Sequence, residues 1–589
     1  MRLELSAVAL CALPSVLAVQ IPLQLGSSPL LPGESFDRFA ASLLQKWGVP
    51  GVAVGIIKVD EEGETRVEFR SYGIAGEGRD VDEDTLFGIA SNSKAFTAAA
   101  VGQLVETGHF NWTDKVTNLL PGFAFSDEET TKRASLLDLL SHQTGLPRHE
   151  HSYWPGETLP ELMDRLPTLS LSAELRETFH LHYGTAAHLV ATWANQSFPS
   201  YLASHIFQPL NMTSTTFSPH LDSPGSLARL SSSFNVLENG TAVEIPFGFN
   251  YSRDVLEFNA GAGGIHSSAR DMLKWVEALI RQRRNSTSHG SQPSKHLQSV
   301  LSPATARELT TPRAIAERHP VFPIPSLFPR LYGLAFFIEW VNGYEVILHG
   351  GSLPGFGSQV AWSPDAGIGV VALANADGAG NLLTDMLCYR ALDELMGKEP
   401  VDWQPHYRGV ADKQAEKNEE AHRKALKHDK ASSPPSLSPS AYLGSYTNPG
   451  YPRITVCAPA AAASSSPSPA CAALYSRLED SLFSTTRVPP ASPDPVFLLD
   501  WPGYFGASHV LLRHWDGDVW KGAFADIYNE TERSPGRKIQ YEAADSVRVR
   551  FVLDEEGKEV QNMELNGVWG AGGEVKRDEE RVEVVFERE

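Results

Sequence analysis

Strand-forming residues collect near both ends of the first four hundred residues, with a long helical stretch between them. Val52 to Val59 is a β-rich run and Arg66 to Tyr72 a second, and the polar Asp60-Glu61-Glu62-Gly63-Glu64 between them predicts a hairpin turn. The next such runs come much later. Leu331 to Ile347 reads as two strands turning at Asn342-Gly343, followed by Gln359 to Trp362 and Ile368 to Ala374. Thr113 to Leu210 is dominated by helical patterns and loops. Early and late strands, with the helices between them, must therefore share one large domain. Phe36, Phe39, Leu43 and Trp47 stand at helical spacing, Ala95 to Val105 forms an apolar helix ending near Gly108, and Asn381 to Leu395 reads as a closing helix.

At 589 residues the chain is too long for one core. Asp412 to Lys430 is densely charged and Ala431 to Ser440 is Ser/Pro-rich, compositions that do not form a core, so residues 408–440 read as a linker after a domain spanning 36–398. Short alternating runs return at Arg453 to Val456, Val496 to Leu499, Val510 to Trp515, Val547 to Leu553 and Val582 to Phe586. They predict a small β-barrel or sandwich over 441–589. Its aromatic residues, including Trp501, Tyr504, Trp515 and Trp520, read as core rather than as a ligand-binding face.

The N-terminus reads as an export signal. Arg2 precedes an apolar run from Leu5 to Leu17, too short for the roughly 20 residues of a membrane span, and Val16-Leu17-Ala18 offers cleavage after Ala18. Segment 1–18 is thus expected to be removed from a secreted protein with no membrane span. Glycosylation acceptors at Asn111, Asn195, Asn211, Asn239, Asn250, Asn285 and Asn529 agree with export. Of the four cysteines, Cys11 lies in the signal, Cys457 and Cys471 flank a Ser/Pro/Ala loop that a disulfide would close, and Cys388 reads as a buried free thiol. With 71 acidic against 50 basic residues the formal charge is -21, a field that disfavours nucleic-acid partners.

Ser91-Asn92-Ser93-Lys94 carries the chemistry. Residues three apart at the start of a helix share a face, so the Lys94 amine reaches the Ser91 hydroxyl. A serine alcohol needs a base beside it to attack a carbonyl, and a partly desolvated lysine loses enough basicity to serve. No other S-x-x-K and no G-x-S-x-G occurs in the chain.

The stretch Leu86-Phe87-Gly88-Ile89-Ala90-Ser91-Asn92-Ser93-Lys94-Ala95-Phe96-Thr97 resembles the nucleophile segment of the serine β-lactamase and penicillin-binding-protein family. Leu139-Leu140-Ser141-His142-Gln143-Thr144-Gly145-Leu146-Pro147 resembles the family's helix-to-turn signature, and Gly261-Ala262-Gly263-Gly264-Ile265-His266-Ser267-Ser268-Ala269-Arg270-Asp271-Met272 its Gly-rich turn before a helix. His349-Gly350-Gly351 stands where the family carries Lys-Thr-Gly or His-x-Gly. Tyr442 to Tyr451 is similar to the opening of the β-barrel appended to several members.

The resemblance implies an α+β, β-lactamase/transpeptidase-like domain: an antiparallel sheet flanked by helices, with an all-helical subdomain, followed by the small all-β barrel. It further implies acylation of Ser91 with Lys94 as base or relay, and an oxyanion hole from the N–H groups of Ser91 and Ser352. Gly350 and Gly351 would admit the substrate to the strand, and His349 would line the pocket. His142 is implied to be structural. No metal or organic cofactor is implied, and His149-Glu150-His151 with His180 and His182 lack the supporting ligands of a metal site.

One departure stands out. The family's Tyr-x-Asn motif has no counterpart in Leu175 to Gly184: ungapped counting puts Thr178 at the tyrosine and His180 at the asparagine, while Tyr183-Gly184-Thr185 matches locally at the wrong spacing. The tyrosine normally contributes acid/base catalysis of roughly 10²- to 10⁴-fold. Two readings follow. One is a secreted serine hydrolase acting through an acyl-Ser91 intermediate on a small ester, amide or peptide; the other is a catalytically impaired binding protein on the same fold. Partner proteins are not indicated.

Overall fold

The computed structural model describes residues 29–31, 33–154, 156–177, 183–217, 224–237, 240–245, 257–285, 300–317, 329–426, 432–458, 471, 496–501, 509–527, 539–569 and 581–589. Along the chain the first-domain strands are β1 (Gly51–Val59), β2 (Thr65–Gly76), β3 (Arg79–Asp80), β4 (Phe87–Gly88), β5 (Ser233–Val236), β6 (Ala242–Ile245), β7 (His266–Ser267) and β8 (Ala314–Glu317). They continue with β9 (Arg330–Tyr332), β10 (Phe337–Val341), β11 (Tyr344–Leu353), β12 (Phe356–Ser363) and β13 (Ile368–Ala374). Early and late strands do join. One antiparallel sheet runs β3-β2-β1-β13-β12-β11-β10-β9-β8, with β1 between its hairpin partner β2 (Val52↔Tyr72) and β13 (Val52↔Ala374). Asn342 and Gly343, both at positive φ, turn β10 into β11.

Both faces of this sheet are covered. Along β1, Val52, Val54 and Ile56 point to a core shared with helix α1 (Gly33–Trp47) and the helix Ala379–Leu395. Ala53 and Ile57 point to the other core, shared with α2 (Ser93–Glu106) and the helix Ala269–Asn285. α1 buries Phe36, Ala40, Leu43 and Trp47, a single stripe, and stays on the outside. α2 is buried nearly all round, and its Phe96 stacks on Trp275 with ring centroids 4.5 Å apart. The helical middle packs over this second face; its short helices Leu136–Leu140 and Leu159–Arg165 each begin with a reciprocal capping box, Ser135 with Asp138 and Thr158 with Glu161.

The C-terminal strands form a closed eight-stranded antiparallel barrel, which settles the choice between barrel and sandwich. They are β14 (Gly444–Asn448), β15 (Tyr451–Cys457), β16 (Val496–Asp500), β17 (His509–Asp516), β18 (Val519–Ile527), β19 (Ile539–Leu553), β20 (Val560–Asn566) and β21 (Val584–Arg588). Pairing of β14 with β21 closes the ring and removes free edges. Trp501 and Trp520 are fully buried, Trp515 lies half-buried with the Lys521 ammonium 4.1 Å from its ring centroid, and Tyr504 falls outside the described residues. Cys457 and Cys471 are joined in a disulfide, and Cys388 is a buried free thiol.

The segment expected as a linker differs from the expectation. Gln404–Leu426 is a helix, entered through Trp403 and Tyr407, which are buried against the first domain's core. Lys, Glu and Ala are strong helix formers, so a density of charge that cannot build a core still builds a helix. The Ser/Pro stretch that follows is ordered against the barrel: the N–H groups of Ser433 and Ser436 donate to Asp516 (2.8 Å) and Asp518 (3.0 Å). The expected signal, 1–18, lies outside the described residues, as do Asn239, Asn250 and Asn529. Asn111, Asn195 and Asn211 are exposed, and Asn285 is half-buried. Among the described residues no helix is long and apolar enough to cross a membrane.

Candidate active site

Ser91 sits in a 3₁₀ turn, Ala90–Asn92, that runs directly into α2. Ala90 is held at φ +48°, a left-handed conformation that costs a residue with a Cβ on the order of 1–3 kcal/mol unless its surroundings enforce it. Here they do. The N–H of Ile89 donates to the carbonyl of Ile265 (3.0 Å), and the Ser358 hydroxyl, on β12, donates to the Ile89 carbonyl (2.8 Å). Asn92 Nδ2 donates to the same Ser358 oxygen at 2.9 Å, and the N–H of Ile265 donates to Ser93 Oγ at 3.2 Å. The nucleophile turn is thus clamped between the Gly-rich turn and the sheet.

The Lys94 amine lies 2.7 Å from Ser91 Oγ and donates to the carbonyl of Ala262 at 3.3 Å. Only 3% of Lys94 is exposed. Burial, and secondarily the Arg148 cation, lower its pKa to about 7, against a smaller opposing effect of Glu150. A neutral amine at that distance can take the hydroxyl proton, which an ordinary lysine near pH 7 cannot.

Ser91, Lys94 and Ser352 line one pocket of about 690 Å³, counting its open mouth, together with Arg148, Glu150, Tyr153, Tyr183, Asn259, Ala262 and Gly263. β11 brings Ser352 alongside the nucleophile turn. The space Gly351 leaves is filled by the turn itself rather than by room for a substrate: a Cβ there would lie 2.4 Å from the Ile89 carbonyl oxygen and 2.4 Å from Ser358 Oγ. Gly350 similarly leaves room for the Gln359 side chain, 2.8 Å from such a Cβ.

His349 is not among the residues lining that pocket. It is buried behind it, and burial with the nearby Lys94 charge lowers its pKa to about 3, so it is neutral. Its Nδ1–H donates to the Gly350 carbonyl (2.6 Å), which leaves Nε2 to accept from the Tyr332 hydroxyl (3.3 Å). His142 Nε2 in turn lies 3.2 Å from Tyr332 Oη, in a donating role because that hydroxyl's proton is spent on His349. His142, in the left-handed turn after Leu136–Leu140, is part of this buried chain.

The position of the missing tyrosine falls on residues 178–182, outside the described set, so Thr178 and His180 are not placed. Tyr183, the local match at the wrong spacing, does reach the pocket, its ring 5.7 Å from Lys94 Nζ. Its hydroxyl, however, donates to the carbonyls of Leu140 (2.8 Å) and Leu334. Arg148, Glu150 and Tyr153 had no motif to mark them. They follow the helix-to-turn signature immediately, and only the path of the chain after Pro147 reveals that they face Ser91. Among the described residues no three His, Cys, Asp or Glu side chains converge to hold a metal; His149 and His151 face the barrel.

Comparison with known proteins agrees on the first domain. The beta-lactamase family profile matches residues 36–387. An unguisins hydrolase of Aspergillus violaceofuscus is 30% identical over 436 residues, covering 71% of this chain and 75% of the relative. An unguisins hydrolase of Aspergillus campestris is 27% identical over 441 residues, covering 72% and 77% respectively. In fold, an octameric penicillin-binding protein homologue from Pyrococcus abyssi superposes with a TM-score of 0.51 at 17% identity, covering 95% of this chain and all of that one.

Proposed function

From the premise that this chain belongs to the beta-lactamase family, we propose that it is a secreted serine hydrolase that acylates Ser91. The observation that carries the proposal is the 2.7 Å contact between Ser91 Oγ and a buried Lys94 amine whose pKa is lowered to about 7. Neutral Lys94 takes the hydroxyl proton as Oγ bonds to the carbonyl carbon of the substrate. The oxygen that becomes negative accepts hydrogen bonds from the N–H groups of Ser91 and Ser352. Collapse breaks the bond to the leaving alcohol or amine, which receives the proton from Lys94. Water, deprotonated by the same amine, then cleaves the acyl-serine ester, and Lys94 returns that proton to Ser91 Oγ as it leaves.

The substrate is a small ester, amide or peptide. The relatives named as unguisins hydrolases support hydrolysis as the reaction. His349, neutral and turned into the buried chain with Tyr332, supports the wall behind the site rather than proton transfer. The N-terminal apolar run and the exposed acceptors Asn111, Asn195 and Asn211 support the reading of an exported, glycosylated protein. A glycosidase-sensitive mass and an N-terminus at Val19 in the culture medium would support this part.

Incubation with a fluorophosphonate or a penicillin, followed by peptide mass spectrometry, tests the proposal. An adduct on Ser91 supports it. A folded protein whose Ser91 stays unmodified while a known relative is labelled would leave the binding-protein reading in its place.

A further inference from the structure

Part of the pocket's lining comes from a short stretch of chain with two faces. Arg148, Glu150 and Tyr153 look into the pocket, while His149 and His151, between them in sequence, look outward into the barrel. The outward face is fixed at several points. Tyr451 Oη lies 2.6 Å from His149 Nδ1, the other ring nitrogen of His149 donates to the Ser170 carbonyl at 2.9 Å, and the His149 N–H donates to the carbonyl of Trp569 at 3.0 Å. His149 itself is at φ +46°, in the left-handed region that few residues with a Cβ occupy. Trp501 Nε1 donates to the His151 carbonyl at 2.9 Å, and the His151 ring stacks on Phe524 at 3.7 Å. Arg165 completes the clamp, buried and bonded at once to Glu157, to Ser152 Oγ (3.1 Å) and to the carbonyl of Gly450 in the barrel (3.1 Å).

On the inward face, Arg148 Nη1 pairs with Glu150 at 2.7 Å. Nε is buried, out of reach of a ligand, so Nη2 is the donor left for the pocket. A guanidinium N–H facing a pocket donates a charge-assisted hydrogen bond to a carboxylate. Glu150 holds Nη1 and so fixes the orientation of the guanidinium.

We propose that Arg148 binds a carboxylate carried by the acyl part of the substrate, and that the barrel sets this specificity by holding the segment from Arg148 to Tyr153. This deepens the hydrolase reading and rests on it. Arg148 acts on the substrate directly; His149 and its barrel partner Tyr451 are positioning residues.

The test compares two 4-nitrophenyl esters on the full-length protein: the half-ester of glutaric acid and its uncharged isostere, the ester of glutaramic acid. Release of nitrophenol reports acylation. The ratio of kcat/KM, carboxylate over amide, should exceed one in the native protein and fall about tenfold or more in Arg148→Gln, as expected for loss of a charge-assisted pair. Arg148→Lys should recover part of the ratio, because it keeps the charge. Tyr451→Phe, which deletes one barrel contact and keeps the ring, should lower the same ratio through KM of the carboxylate ester, with kcat little altered. A ratio that is the same in Arg148→Gln as in the native protein overturns the carboxylate assignment. A ratio altered in Arg148→Gln but unmoved in Tyr451→Phe, and also in Trp501→Phe, overturns the role given to the barrel. Fluorophosphonate labelling of Ser91 in the same samples separates these failures from failure of the hydrolase reading itself, because that reading falls only if the native protein takes no label and releases no nitrophenol.

Discussion

Replacing Lys94 by methionine should make the protein more stable near pH 6 while removing its ability to acylate. Methionine matches the length of the lysine stem and fills the same apolar space. The buried amine falls from pKa 10.5 to about 7 on folding, and at about 1.4 kcal/mol per tenfold change in proton affinity this equals roughly 5 kcal/mol. The sign follows from proton counting. Between pH 7 and 10.5 the unfolded chain holds a proton on Lys94 that the folded protein does not, so stability rises with pH across that window. Below about pH 7 both states are protonated and the whole cost of the buried charge is felt. Methionine carries no such cost, but it forfeits the hydrogen bonds to Ser91 and Ala262, about 1–1.5 kcal/mol each. The variant should therefore be about 2–3 kcal/mol more stable than the native protein near pH 6, with the gap closing and reversing by about pH 10. Urea unfolding of both proteins at several pH values measures this directly. A methionine variant that is less stable at every pH, with a pH-independent difference, would refute the claim that Lys94 is a desolvated amine.

Three further outcomes are expected. Gly351→Ala should drive a methyl group into the Ile89 carbonyl and Ser358, destabilising the fold by about 1–3 kcal/mol and slowing Ser91 acylation far more than it changes substrate binding, as stopped-flow kinetics would record. Tyr183→Phe should cost about 1–3 kcal/mol of stability by leaving the Leu140 and Leu334 carbonyls without their donor, yet reduce kcat less than the roughly 10²-fold expected on loss of an acid/base tyrosine. Replacing both Cys457 and Cys471 by serine should lower the stability of the barrel by about 3 kcal/mol, because the bridge closes a loop with a sequence separation of 14; differential scanning calorimetry shows it as a lower transition temperature.

Much of the first domain was legible because its signals are local. The turn Asn342-Gly343, the stripe Phe36 to Trp47 and the apolar run of α2 each specify an element within a few residues. The joining of β1 to β13 was legible only as a necessity: two strand clusters, each too small to bury its faces, had to meet. In the barrel β14, β18 and β20 went unread; Gly444–Asn448 holds one large apolar residue, Tyr446, and Val560–Asn566 one β-branched residue, Val560. Ser91 and Lys94 could be paired by helical spacing alone. The placement of His349 could not, because its burial comes from Tyr332 and Phe337 on neighbouring strands. Arg148 and Glu150 were invisible for another reason: the stretch that carries them is held by a barrel about three to four hundred residues further along the chain, at Tyr451, Trp501 and Trp569.

The pH dependence of Ser91 acylation bears most directly on the pairing of alcohol and amine. Fluorophosphonate labelling rates, with the modified peptide identified by mass spectrometry, should rise through an inflection near pH 7 and level off above it, and the label should sit on Ser91 alone. A rate that climbs without inflection toward pH 10, or a label found on any other residue, would contradict the assignment of Lys94 as the base.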